Sequence, residues 1–149
     1  VVLSLGDRMR PGEVTVHVDC DEQFEAFCDR DDLSKVITNL LTNSVDHGFK
    51  GRKRGEIWMS VRKQAGEWTI DYHDDGRGLA EDTRDKVFDP FFTTDRTSHF
   101  GLGLHILYNL VTHKMNGSVH LNDASTTGFS VTLRFSPESD GVSESGATL

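Results

Sequence analysis

Residues 67–73, Glu-Trp-Thr-Ile-Asp-Tyr-His, alternate in polarity and run directly into Asp74-Asp75-Gly76-Arg77-Gly78-Leu79. Trp68, Ile70 and Tyr72 fall on one side and Thr69 and Asp71 on the other, the period of a half-buried strand. A strand that ends in D-x-G-x-G has to turn there. Glycine enters backbone conformations closed to other residues and lets a flat ligand come close to the main chain. The carboxylate held at the strand end can accept a hydrogen bond from an exocyclic amine. Loops after strands often look like this, so the stretch gains weight only from what lies on either side.

Ile57, Met59 and Val61 alternate with Trp58, Ser60 and Arg62, predicting a strand that pairs with 67–73 across Gln64-Ala65-Gly66. Val14, Val16 and Val18 predict a first strand, 24–28 a short second one, and Val119 and Leu121 another. Phe129, Val131, Leu133 and Phe135 give the clearest alternation in the chain. His17 is one polar residue on a strand's outer face and reads as solvated. Asp31-Asp32 opens a helix with acidic residues suited to its dipole, and Leu33, Val36, Ile37, Leu40 and Leu41 form its buried face. Beside that face Asn39, Asn43 and His47 stand at i, i+4 and i+8, before a glycine stop at Gly48. A lone asparagine there would be a solvated edge; two on one stripe are an odd choice for surface filling, because asparagine is a mediocre helix former.

Residues 50–55 form a basic, glycine-bounded loop, and 81–86 a short polar helix. Phe88, Phe91 and Phe92 around Pro90 read as the anchor of a flap over the polar 95–100 stretch, or else as a plain surface loop with a hydrophobic foot. Gly101-Leu102-Gly103-Leu104 opens a helix with Leu104, Leu107, Leu110 and Val111 inward. Its exposed N–H groups and positive dipole end suit a phosphate. Past Pro137 the Ser/Gly-rich residues 138–149 are expected to be disordered.

At 149 residues the chain makes one domain, 1–137 plus that tail, able to bury roughly 68–70% of its unfolded surface. A net charge of -8 argues against a nucleic-acid surface. No apolar run approaches the roughly 20 residues of a membrane span, and no signal peptide is visible. Cys20 and Cys28 have no metal-ligand spacing, so reduced thiols are expected. Starting at Val1, the chain is expected to be a soluble, cytoplasmic domain of a longer protein, which is itself open to membrane attachment.

The order of these motifs resembles the catalytic ATP-binding domain of sensor histidine kinases, in the superfamily shared with gyrase and HSP90 ATPases. The resemblance covers roughly residues 31–137. It implies an α/β two-layer sandwich of the Bergerat type, with one mixed sheet of about five strands and helices on one face. It implies ATP and Mg²⁺ as ligands, with Asn39 and Asn43 as the asparagine motif and Asn43 completing the metal's oxygen coordination. His47 matches a phosphate-facing position, so Asn43 and His47 are the implied catalytic pair. Asp74 matches the acceptor of the adenine amino group, with Gly76, Gly78 and Leu79 shaping the pocket. Phe88, Pro90 and Phe91 match an aromatic box at the foot of the ATP lid. Arg96 is expected to reach the phosphates from that lid. Gly101, Leu102, Gly103 and Leu104 match the second glycine box, and Thr127 the threonine behind the adenine. The chain departs from the pattern at Ser98-His99-Phe100, Asn116 and Thr126, where glycines are usual.

ATPases of the superfamily place a glutamate one turn before the magnesium asparagine, as do serine kinases of the anti-sigma type. Here that position is Asn39, which fits a histidine kinase, whose acceptor histidine lies on another domain. The resemblance thus implies transfer of the γ-phosphate to a dimerisation and phosphoacceptor domain of the same parent, with a response regulator downstream. The domain alone is expected to be a monomer and the parent a homodimer. The rival readings are an anti-sigma serine kinase and a non-catalytic nucleotide-sensing scaffold.

Overall fold

The alternating stretches become one sheet. In the computed structural model, which describes residues 13–20, 30–90, 92, 103–123 and 127–136, strands β1 (Val14–Cys20), β2 (Gly55–Gln64), β3 (Glu67–Asp74), β4 (Ser118–Leu121) and β5 (Ser130–Phe135) lie in the order β1-β2-β3-β5-β4. β1 and β2 are parallel, joined through helix α1 (Arg30–Asn43), and every other pair is antiparallel. The β2–β3 hairpin turns at Ala65 and Gly66, both at positive φ, as the expected 64–66 turn requires.

Because side chains alternate across a strand, register decides the core. Met59 lies opposite Tyr72, Tyr72 opposite Val131, and Ile70 opposite both Val61 and Leu133, so their apolar sides share one face. Onto that face pack Val36, Leu40 and Leu41 of α1, and Leu107 of α2 (Gly103–Asn109) with Leu110 and Val111 just after it. Asp32, nearly buried at the start of α1, holds Lys114 at 3.4 Å and ties the two helical segments together. On the sheet's other face Trp58 is sandwiched between His17 and His73, with ring centroids 5.5 and 5.4 Å away. His17 is thus half-exposed, as expected, but stacked and 3.4 Å from Glu56.

Neither helix stays α-helical to its end. After Asn43 the chain widens into a π turn over Ser44–Gly48, closed by the Phe49 N–H on the Ser44 carbonyl at 2.8 Å. After Asn109 a second π turn spans Leu110–Lys114. The single long helix expected to stop at Gly48 does stop there, but its last turn is wide. The short polar helix expected at 81–86 is present, as a 3-10 helix. The short strand expected at 24–28, the 138–149 tail and Cys28 lie outside the described residues. Among the described residues no helix is long and apolar enough to cross a membrane.

Candidate functional site

β3 delivers Asp74 to the inward, apolar side of the sheet, where it is fully buried. A carboxylate in that position needs donors, and three converge on it. The N–H groups of Gly76 and Phe129 donate to Oδ1 at 2.9 and 3.0 Å, and the Ser44 hydroxyl donates to Oδ2. Ser44 in turn lies 2.7 Å from the Tyr72 hydroxyl, whose single proton is shared between Ser44 and the Leu40 carbonyl at 3.1 Å. Burial, opposed by the Ser44 bond and reinforced by the nearby Asp74 charge, pushes the Tyr72 phenol well above its ordinary value, so it stays neutral.

Main chain packs against this carboxylate from several sides. A side chain on Gly76 would lie 2.8 Å from the Gly48 backbone, and one on Gly128, at φ +97, 1.8 Å from the Asp74 carbonyl. The Arg77 N–H donates to the Gly48 carbonyl at 3.1 Å, which fastens the end of α1's π turn to the D-x-G-x-G loop. Asp75 braces that loop from outside: its carboxylate accepts from the Glu56 N–H at 2.8 Å and from the Arg52 guanidinium at 3.2 Å.

In front of this arrangement opens a cavity of about 450 Å³, within the range of small-ligand sites. Asn43, His47 and Gly48 form one wall; Arg77, Gly78, Leu79 and Ala80 a second; Val87, Phe92, Leu104 and Phe129 complete it. Asn43 makes no capping bond to the turn it precedes, so its amide is not consumed there. Among the described residues no Asp or Glu lines the cavity, and no group of three His, Cys, Asp or Glu side chains could hold a metal ion.

The structure therefore brings Asn43, His47, Gly78, Leu79 and Leu104 to one cavity. Asp74 and Gly76 sit behind its wall, touching Gly48. Asn39 stands off the wall, its amide oxygen 3.5 Å from where a side chain on Gly103 would begin. Thr127 is not brought to the cavity: it is exposed, because the chain turns at Gly128 and presents Phe129 instead. Phe91, Arg96, Gly101 and Leu102 lie outside the described residues, as do Ser98, His99 and Phe100. Of the aromatic box, Phe88 packs on the core and its carbonyl is 3.0 Å from His105 Nδ1, while Pro90 is exposed.

Sequence reasoning missed Ser44, Tyr72, Gly48, Arg77 and Gly128 as parts of the site. A signal existed for the first two: Ser44 falls on the apolar stripe of Leu40 and Leu41, and Tyr72 on the inward side of its strand. Polar atoms on apolar faces need partners, and these two are each other's.

The chain has counterparts among known proteins. The family model for histidine kinase-, DNA gyrase B- and HSP90-like ATPases matches residues 28–139, and the chain belongs to that family. Within it, the chain is similar to the sensor histidine kinase YvrG of Bacillus subtilis, 31% identical over 119 residues, which are 77% of this chain and 20% of YvrG. It is also similar to the sensor-like histidine kinase SenX3 of Mycolicibacterium smegmatis, 29% identical over 138 residues, 89% of this chain and 35% of SenX3. The chain thus spans well under half the length of either relative. The fold is that of the catalytic domain of histidine kinase ThkA, with a TM-score of 0.72 at 20% identity, covering 83% of this chain and 79% of that one.

Proposed function

We propose that the chain is the ATP-binding catalytic domain of a sensor histidine kinase, transferring the γ-phosphate to a histidine on a separate phosphoacceptor domain of its parent. The observation that carries this reading is a nucleotide-sized cavity with one amide, an imidazole and a guanidinium, but no carboxylate, on its described walls. Hydrolysis needs a positioned base for water. Asn39 and Asn43 are amides and accept no proton at neutral pH. Transfer to an acceptor brought from outside asks mainly for positioning and charge neutralisation.

In this reading Asp74 accepts from the 6-amino group of adenine beside Gly48, while Gly78 and Leu79 shape the pocket around the base. Phe129 and Val87 offer it apolar surface. Asn43 and His47 face the phosphates, joined by Arg77 as a cation on the same cavity. Asn39 supports the phosphate end, where Gly103 begins α2. Phe91, Arg96, Gly101 and Leu102 belong to the same proposal through the resemblance alone, and so does Thr127.

A divalent cation fits the donor set. Magnesium is held by few protein oxygens and keeps water and phosphate oxygens for the rest, so one amide oxygen from Asn43 suffices where no carboxylate cluster stands. When bound, Mg²⁺ would neutralise charge on the phosphates during transfer. The partners that follow are the dimerisation and phosphoacceptor domain of the parent and a downstream response regulator. The domain is a monomer alone, inside a homodimeric parent, and works in the cytoplasm.

The test is transfer itself. Labelled γ-phosphate should appear, acid-labile, on a histidine of the parent's phosphoacceptor domain when that domain is mixed with this chain and Mg-ATP. Acid-stable label on serine would replace this reading with the serine-kinase one, and binding without transfer would favour a nucleotide-sensing scaffold.

A further inference from the structure

The buried hydroxyl pair Ser44 and Tyr72 does more than fill the core. An ionised carboxylate offers about four lone-pair positions and donates nothing. On Asp74, Oδ1 already takes two backbone N–H groups, from Gly76 and Phe129. Oδ2 takes one donor, the Ser44 hydroxyl. One acceptor position is therefore left, and it is on Oδ2. That oxygen lies 3.4 Å from where a side chain on Gly48 would begin, closer than Oδ1 at 3.7 Å, and Gly48 is part of the cavity wall.

What fixes Oδ2 is a hydroxyl that could itself rotate. With its own proton on Asp74, Ser44 Oγ can only accept from Tyr72, whose single proton is shared between Ser44 at 2.7 Å and the Leu40 carbonyl of α1 at 3.1 Å. Tyr72 is 1% exposed and Ser44 wholly buried, so water does not compete for either. The chain Leu40–Tyr72–Ser44–Asp74 thus links helix α1 to strand β3 and ends on the Asp74 oxygen that lies toward Gly48 in the cavity wall.

We propose that Ser44, held by Tyr72, is a positioning and specificity-determining residue: it saturates Asp74 so that a single acceptor faces the base, and thereby selects purines carrying a 6-amino group. This rests on the proposed contact between Asp74 and the base, and the experiment separates the two. Neither hydroxyl touches the ligand, so their effect must pass through Asp74. Without Ser44 the carboxylate is held on one oxygen only, and Oδ2 can turn away from the cavity or take a water in place of the lost donor.

The experiment uses the 149-residue chain with Mg²⁺ and compares ATP with purine riboside triphosphate, which lacks the 6-amino group. Dissociation constants are measured for wild type, Ser44→Ala and Tyr72→Phe, with thermal unfolding to confirm that each is folded. The wild type is expected to favour ATP by about tenfold or more, the worth of one charge-assisted hydrogen bond. Ser44→Ala should bring that ratio close to one by weakening ATP alone, and Tyr72→Phe should bring it part of the way. An unchanged ratio in a folded Ser44→Ala, or equal weakening of both nucleotides, overturns the inference and leaves the base contact standing. A wild type without preference overturns the base contact, and the inference with it. If Ser44→Ala is unfolded, Tyr72→Phe, which keeps the ring and its packing, decides by the same ratio.

Discussion

Replacing Asp74 by asparagine isolates the charge from the fold. The amide oxygen can keep the Gly76 and Phe129 N–H bonds, which places the new NH₂ toward Ser44. Ser44 then changes from donor to acceptor, passes its own proton to Tyr72, and Tyr72 donates to the Leu40 carbonyl. In the wild type two hydroxyl protons serve three contacts; the amide adds a third proton, so the hydroxyl pair can reverse direction without leaving a buried atom unpaired. The remaining cost is three charge-assisted bonds becoming neutral ones, about 1 kcal/mol each, partly offset because no charge is buried. Stability measured by denaturant should therefore fall by less than about 3 kcal/mol. Nucleotide binding should suffer at least as much. The acceptor for the 6-amino group is replaced by a donor, losing about 1.5–3 kcal/mol for the bond and about 1 more for two facing donors. A loss near 3 kcal/mol is roughly a hundredfold in the dissociation constant of ATP. Inosine triphosphate, whose 6-oxo group can accept from the new amide, should lose far less. Titration of both nucleotides checks this, and a folded variant that binds ATP within about threefold of wild type, or loses both equally, refutes the reasoning.

Asn43→Ala should leave folding intact, since alanine is the better helix former, and should remove the metal dependence of nucleotide binding; titration with and without Mg²⁺ reads it. Gly128→Ala places a methyl within 1.8 Å of the Asp74 carbonyl at φ +97 and should cost more than about 3 kcal/mol in denaturant unfolding, where a near-neutral result would contradict the packing described. Tyr72 has a phenol raised above its unfolded value of about 10, so its share of stability is full below that pH and drains away as pH rises toward the folded value. Stability curves of wild type and Tyr72→Phe, measured by denaturant across pH, should thus converge above about pH 10. Arg52→Ala removes a brace whose partners are a third or more exposed and should cost no more than about 1 kcal/mol.

Most of the secondary structure was legible because each segment buries one face, and burial writes its period into the sequence. β2, β3 and β5 follow from alternation, and α1 from the spacing of Val36, Leu40 and Leu41. The D-x-G-x-G turn followed from glycine's conformational freedom, and Gly78 does sit at φ +69. What could not be read locally is what α1 and β3 do to each other. Ser44 looks like a helix residue and Tyr72 like a core aromatic until packing sets their oxygens 2.7 Å apart, across 28 positions of chain. Gly48 reads as a helix stop, and only the folded chain shows that it lies against Asp74. The π turn is likewise invisible in composition, yet it is the segment that puts both His47 and Gly48 on the cavity. Thr127, which the resemblance put behind the adenine, is exposed and does not line the cavity, where Phe129 stands instead.

The central claim, a metal-assisted adenine nucleotide site between α1 and the end of β3, is tested most directly by calorimetric titration of this chain with an unhydrolysable ATP analogue, with and without Mg²⁺. The account predicts binding in the micromolar range, about -8 kcal/mol, that weakens when the metal is withheld. Heat that is absent in both conditions from a folded protein would contradict it.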